Sequence, residues 1–195
     1  ASHIIVTFGT SWVYRNKATN AIVDNCHKVP QKEFSKEILS VETIEKSIQN
    51  SLDLIQKINP NANFIFTVSP VRHLKDGFVE NQLSKAHLIT AIHKILESAI
   101  YFPSYEIMMD ELRDYRFYAG DMIHPNSVAI DYIWQRFSET AITVESQMIM
   151  KEVETIQKGL QHRPFNPNSE SHQLFLSKLQ DKIEKLQKQF PQIQF

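Results

Sequence analysis

Cysteine is nearly missing from this sequence: Cys26 is alone, which excludes a disulfide within the chain and the zinc patterns built from several thiolates. That scarcity suits a reducing compartment. Neither sign of charge dominates. The 21 basic and 22 acidic residues give a formal net charge of -1, and the two signs are interspersed, so neither nucleic acid nor an anionic membrane is expected as a partner. Long apolar runs are lacking too. None approaches the roughly 20 residues that span a bilayer, and no charged-then-apolar signal segment opens the chain. A cytoplasmic protein is therefore expected. Because the first residue is Ala1 rather than Met and a strand begins at the third, the natural start is expected to lie upstream.

What is present is an ordinary globular composition. The 195 residues, 42% hydrophobic and 22% charged, are enough for one domain with a real core plus an appendage. Residues His3 to Phe8 (HIIVTF) form a β-branched run closed by Gly9, the pattern of a parallel strand buried on both faces. A polar loop is expected next. From Ser40, an N-cap with Glu42 in the first turn, Ile44, Ile48, Leu52 and Ile55 recur at helical spacing until Asn59-Pro60, which predicts a crossover helix. Asn63 to Val68 (NFIFTV) is a second strand, completing one right-handed βαβ unit.

Beyond a loop containing Gly77, Leu88, Ile92, Ile95, Leu96 and Ala99 mark a second helix that ends before Pro103, and Tyr105 to Met109 is the candidate third strand. Pro125 to Phe137 then reads as a helix start, with Val128, Ile130, Ile133, Trp134 and Phe137 available for packing. The pattern is βαβαβα. Residues 138–195 differ, being two helical stretches broken by the two prolines of the loop His162 to Asn168. Ile142, Ile149, Val153, Ile156 and Leu160 share one seam, and Leu176, Leu179, Ile183, Leu186 and Phe190 the other, which predicts an antiparallel helical hairpin.

The sharpest chemical signal is Asp121-Met122-Ile123-His124-Pro125. In a tight turn this offset brings a carboxylate against one imidazole nitrogen and leaves the other free as a base, with the carboxylate selecting the tautomer. A helix-start carboxylate beside a surface histidine is the plainer alternative. Two other segments lie at the carboxyl ends of the expected strands, where open α/β sheets bind ligands. They are Phe8 to Trp12 and Thr67 to His73. In the first, the Gly9 N-H or the Thr10 and Ser11 hydroxyls are candidates to stabilise an oxyanion, against the alternative of an ordinary strand-ending turn. In the second, Ser69 and His73 flank Arg72, which is suited to a substrate carboxylate or phosphate, or to a simple pairing with Asp76. Ser11 and Cys26, the latter next to His27, are physical candidates for a nucleophile.

These residues resemble the GSCFA family. The likeness runs through Ile5 to Tyr14, Asn25 to Pro30, Phe66 to His73, Asn81 to Ala86, Tyr101 to Ile107, Asp110 to Tyr118 and Asp121 to Pro125, and the Arg163-Pro164-Phe165 loop is similar to the family's C-terminal extension. The resemblance implies an SGNH-type, flavodoxin-like three-layer α/β/α domain with a parallel sheet over residues 1–137, incomplete at the N-terminus, and a helical extension over 138–195. It also implies an ester hydrolase in which Asp121 and His124 are the catalytic acid and base. Related hydrolases place an oxyanion-hole asparagine where Gly9, Thr10 and Ser11 stand; no asparagine is found there. The Gly-Ser-Cys-Phe-Ala motif that names the family is absent, so the serine nucleophile is expected upstream. A looser likeness to plant polysaccharide O-acetyl esterases points to an acyl or acetyl ester on a glycan.

Three readings follow. The first is a serine ester hydrolase acting on a small-molecule or glycan ester, with no cofactor and no metal, in which Trp12, Tyr14 and Arg72 line a groove. The second is a noncatalytic binding or assembly module whose α/β core presents a pocket and whose helical hairpin docks a partner; self-association is expected through the helical tail or the open sheet edge. The third is a metal site made from Asp121, His124 and His73.

Overall fold

A computed structural model of the chain describes residues 1–23, 26 and 28–195, with Ser98 through its backbone alone. The chain divides into two compact units, Ala1–Gln135 and Arg136–Phe195. In the first, strands β1 (His3–Phe8), β5 (Asn63–Val68) and β6 (Ile100–Phe102) form a parallel sheet in the order β1-β5-β6. Its register pairs His3 with Asn63 through Phe8 with Val68, and Ile65 with Ile100.

Helix α1 (Val41–Ile58) starts at Ser40, whose hydroxyl accepts from the Thr43 N-H, and helix α2 (Phe78–His93) makes the second crossover. Both crossovers step the same way along the sheet, so their shared handedness puts both helices on one face. There Ile44, Ile48 and Leu52 of α1 and Leu88, Ala91 and Ile92 of α2 bury Phe64, Phe66 and Val68 of β5. The result is a mixed α/β unit whose parallel sheet is flanked by helices.

Three expectations are corrected. Strand β1 is covered on one face only: Ile5 is 55% exposed, as Ile100 of β6 is 64% exposed, whereas the central β5 is buried from Phe64 to Val68. Helix cover comes to the β1 face of Ile4, Val6 and Phe8 alone. The segment read as a polar loop is a second, antiparallel sheet of β2 (Trp12–Asn16), β3 (Ile22–Val23) and β4 (Phe34–Ile38), in the order β3-β2-β4. Finally, Tyr105 to Met109 is not a strand. Pro103 closes β6, and α3 (Ser104–Glu106) runs on into a π-helical turn, Ile107–Glu111, opened by the Ile107 N-H donating to the Pro103 carbonyl at 2.9 Å. Tyr105, Ile107 and Met108 still reach the interior. The Ser104 hydroxyl, within 2.7 Å of Thr67 Oγ1, donates to the Val68 carbonyl and so fixes the turn on β5.

Helix α4 (Ser127–Ala141) is capped by Asn126, whose Oδ1 accepts from the Ala129 N-H at 3.1 Å. Ala129 packs with Met108, Leu112 and Tyr118, flanked by Tyr132 and Ile133, while Val128, Ile130 and Trp134 stay exposed. In the second unit, α5 (Val144–Gln161) and α6 (Glu170–Gln189) are capped by Thr143 and Ser169. Their seam is Ile156, Leu179, Ile183 and Leu186, flanked by Ile149, Val153 and Phe190. Leu160 and Leu176 face solvent instead. The neighbouring Gly159 makes the contact, since a Cβ there would meet Leu179 Cδ1 at 2.7 Å. Among the described residues, no helix is long and apolar enough to cross a membrane.

Candidate active site

The turn carrying Asp121 and His124 is built by the backbone first. Met122, in the left-handed region at φ 60°, reverses the chain, and the Ala119 N-H donates to the His124 carbonyl at 2.7 Å while the Met122 N-H donates to the Ala119 carbonyl at 2.9 Å. Asp121 Oδ1 then accepts from the Ile123 and His124 N-H groups at 2.9 and 3.0 Å. Its other oxygen, Oδ2, lies 2.7 Å from His124 Nδ1. The His124 and Ile123 backbone donors, and after them the His124 ring, hold the Asp121 carboxyl down at about 2. An ionised Asp121 only accepts, so Nδ1 carries a ring proton, and in the neutral ring Nε2 presents its lone pair. Among the described residues Nε2 has no hydrogen-bond partner, and the side chain is more than half exposed.

This turn is docked at the carboxyl end of β5. The Arg72 N-H donates to the Ile123 carbonyl at 3.2 Å, and Arg72 Nη1 to the Met122 carbonyl at 3.5 Å. Arg72 does not pair with Asp76, which is bound by Lys36 of β4. Its guanidinium lies 4.0 Å over the Tyr118 ring. Next along the loop, the His73 N-H donates to Asn81 Oδ1 at 2.8 Å, and the ring closes on Gly9, where a Cβ would sit 3.4 Å from Nε2. Burial, with help from the Lys85 and His124 charges and against Asp76, lowers the His73 pKa. Gly9, His73, Arg72 and the Asp121–His124 turn therefore share one rim.

The hydroxyls of the rim are occupied. Thr10 Oγ1 lies 3.0 Å from Ser84 Oγ and accepts from the Trp12 N-H. Ser11, 1% exposed, donates its N-H to Ser84 Oγ at 2.8 Å and its hydroxyl to the Ser84 carbonyl at 3.2 Å. Ser69 Oγ accepts from the Val71 N-H at 3.2 Å. Trp12 is tied down by its ring N-H, which donates to the Glu80 carbonyl at 3.2 Å. Cys26 is a half-buried free thiol, and its neighbour His27 lies outside the described residues.

One residue escaped sequence reasoning. Lys85 of α2 is 1% exposed, and its Nζ donates at 2.7 Å to both the Gly9 and the Ser69 carbonyls. Burial pushes it down to about 8. The cation thus staples the ends of β1 and β5 from beneath. Its signal was the run Asn81, Ser84, Lys85, three polar groups on one helix face that the structure turns towards the strand ends. The metal reading loses its ligand set: among the described residues, no three of His, Cys, Asp and Glu are grouped to hold an ion.

Comparison with known families decides the kinship. The GSCFA family model matches residues 1–137, and the model described as "GSCFA domain protein, C-terminal domain" matches residues 153–195. The chain belongs to the GSCFA family. No curated protein and no solved structure matches it. In this GSCFA chain the first match holds the whole rim, from Gly9 to His124, and the second covers most of the helical hairpin.

Proposed function

We propose that this chain supplies the acid-base half of an SGNH-type ester hydrolase acting on a small-molecule or glycan ester. The observation that carries the reading is the 2.7 Å contact of Asp121 Oδ2 with His124 Nδ1, which leaves Nε2 aimed outward as an acceptor beside the strand ends. In the reaction, Nε2 takes the proton of a serine hydroxyl contributed from outside these 195 residues. The serine oxygen then bonds to the ester carbonyl carbon, and the alcohol leaves with the proton that the imidazolium returns. Water, deprotonated by the same nitrogen, releases the acid and restores the serine. Asp121 stays ionised throughout, compensating the imidazolium charge.

The engaged hydroxyls of Thr10, Ser11 and Ser69 support placing the nucleophile elsewhere. They equally favour the second reading, a noncatalytic module that keeps the hydrolase fold. An ester panel on the full-length protein beside His124→Ala separates the two. A general base contributes roughly a hundredfold to ten-thousandfold, so the variant is expected to lose turnover by about that factor. Equal turnover by both proteins defeats the hydrolase reading.

A further inference from the structure

A cavity of about 340 Å³ opens directly beside the Arg72 guanidinium, walled by Tyr115, Tyr118, Met108, Asp110 and Arg113 among others. We propose that it is a subsite for a negatively charged group of the substrate, a carboxylate or phosphate, gripped by Arg72 and Arg113; the inference rests on the hydrolase reading for its place next to the chemistry. Three observations support it.

First, Arg72 is preset. Its plane is fixed by stacking 4.0 Å over Tyr118 and 5.3 Å from Tyr115, yet among the described residues its only hydrogen bond from the guanidinium is the 3.5 Å contact with the Met122 carbonyl. A guanidinium stacked on a ring keeps its N-H edge available, and the usual loss of side-chain freedom on binding has already been met by the fold. Second, Arg113 has no hydrogen-bond or ion-pair partner among the described residues, and it stands at φ 21°, where glycine is favoured. Third, of the two carboxylates in the wall, Asp110 and Asp114, the second is shared with a third guanidinium: Asp114 accepts from the Arg116 N-H at 2.9 Å and lies 3.8 Å from Arg116 Nε.

The cavity is joined to the dyad by covalent and hydrogen-bonded neighbours. Arg72 binds the peptides of Met122 and Ile123, the two residues between Asp121 and His124. An ester whose charged group sat against Arg72 would lie along the turn that aims the imidazole. Carboxylate and phosphate both match the guanidinium fork, and they are told apart by the probes.

The test is calorimetric titration of the full chain with succinate and, separately, inorganic phosphate, with dimethyl succinate as the neutral control. Saturable binding of one anion is expected, with its Kd raised about tenfold or more in Arg72→Gln and in Arg113→Gln, as loss of one charge-assisted contact implies. His124→Ala is expected to bind as the unaltered chain does. Because Arg113 is exposed and unpartnered, its variant reads the subsite even if Arg72→Gln disturbs the loop. Absence of saturable binding, an unchanged Kd in both arginine variants, or equal binding of the neutral diester overturns the proposal. Anion binding that depends on the arginines while turnover ignores His124 would leave the subsite standing and remove the hydrolase reading.

Discussion

In the hairpin, Ile156, Leu179, Ile183 and Leu186 hold two helices together with side chains that lie on one seam of each helix. At the strand-end rim the ties run through backbone groups: Lys85 holds the carbonyls of Gly9 and Ser69, Ser84 binds the peptide of Ser11, and Arg72 binds the peptides of the histidine turn. Apolar contact is tolerant of exchange as long as volume is kept. A polar tie to a carbonyl depends on direction, and losing it leaves a buried acceptor without a donor. The hairpin is therefore built for stability, and the rim for fixed positions.

Substitutions in each region sharpen that contrast. The largest effect on stability is expected from Ile156→Ala, which leaves a cavity in the seam: about 2–5 kcal/mol lost from the unfolding of the hairpin, with the ester turnover of the full-length protein unchanged. A fall in turnover to match the stability loss would erase the distinction. Next is Lys85→Ala, which strands two carbonyls and is expected to take about 2–4 kcal/mol from the α/β unit, and to lower turnover at temperatures where the protein is still folded. Lys85 also has a pH signature. Its folded value of about 8 lies below the ordinary 10.5, so the unfolded chain holds the proton over a range where the folded one has released it. Stability from this group accordingly rises between about pH 8 and 10.5. The neutral amine still has two N-H donors for its two carbonyls. Urea melts of the unaltered chain and Lys85→Met across that range are expected to differ in slope; parallel curves would show that Lys85 does not titrate there. The smallest change is Gly159→Ala, which presses a methyl on Leu179 and is expected to cost the hairpin about 1–3 kcal/mol. A neutral result would mean that the helices separate freely at that crossing.

The same contrast explains what could be seen in the sequence alone. Strands His3–Phe8 and Asn63–Val68 and the helix after Ser40 stood out because each carries its own period and its own stop, Gly9, Ser69-Pro70 or Asn59-Pro60. The Asp121–His124 contact was legible for a related reason, since both partners lie within one turn. The small sheet β3-β2-β4 was not. Its strands WVYRN and FSKEI carry charges that are matched only across the sheet, as when Arg15 Nε donates to Glu37 at 3.0 Å. Tyr105 to Met109 carries β-forming residues, but the preceding Pro103 closes the strand and supplies the first carbonyl of a helical turn. Lys85 and Ser84 act on residues more than seventy positions away along the chain, or on a strand end fixed by the sheet, and no local pattern announces such a tie.

Met122 gives the histidine turn a silent position with a strong preference. Its half-exposed side chain contributes nothing to the dyad, yet its backbone at φ 60° is what lets one carboxylate reach two peptide donors and a ring at once. Asparagine or glycine would suit that conformation, and valine or isoleucine would resist it. Substitution at this site therefore acts through the shape of the main chain, and the Asp121–His124 pair can be misaimed by a neighbour whose side chain takes no part in it.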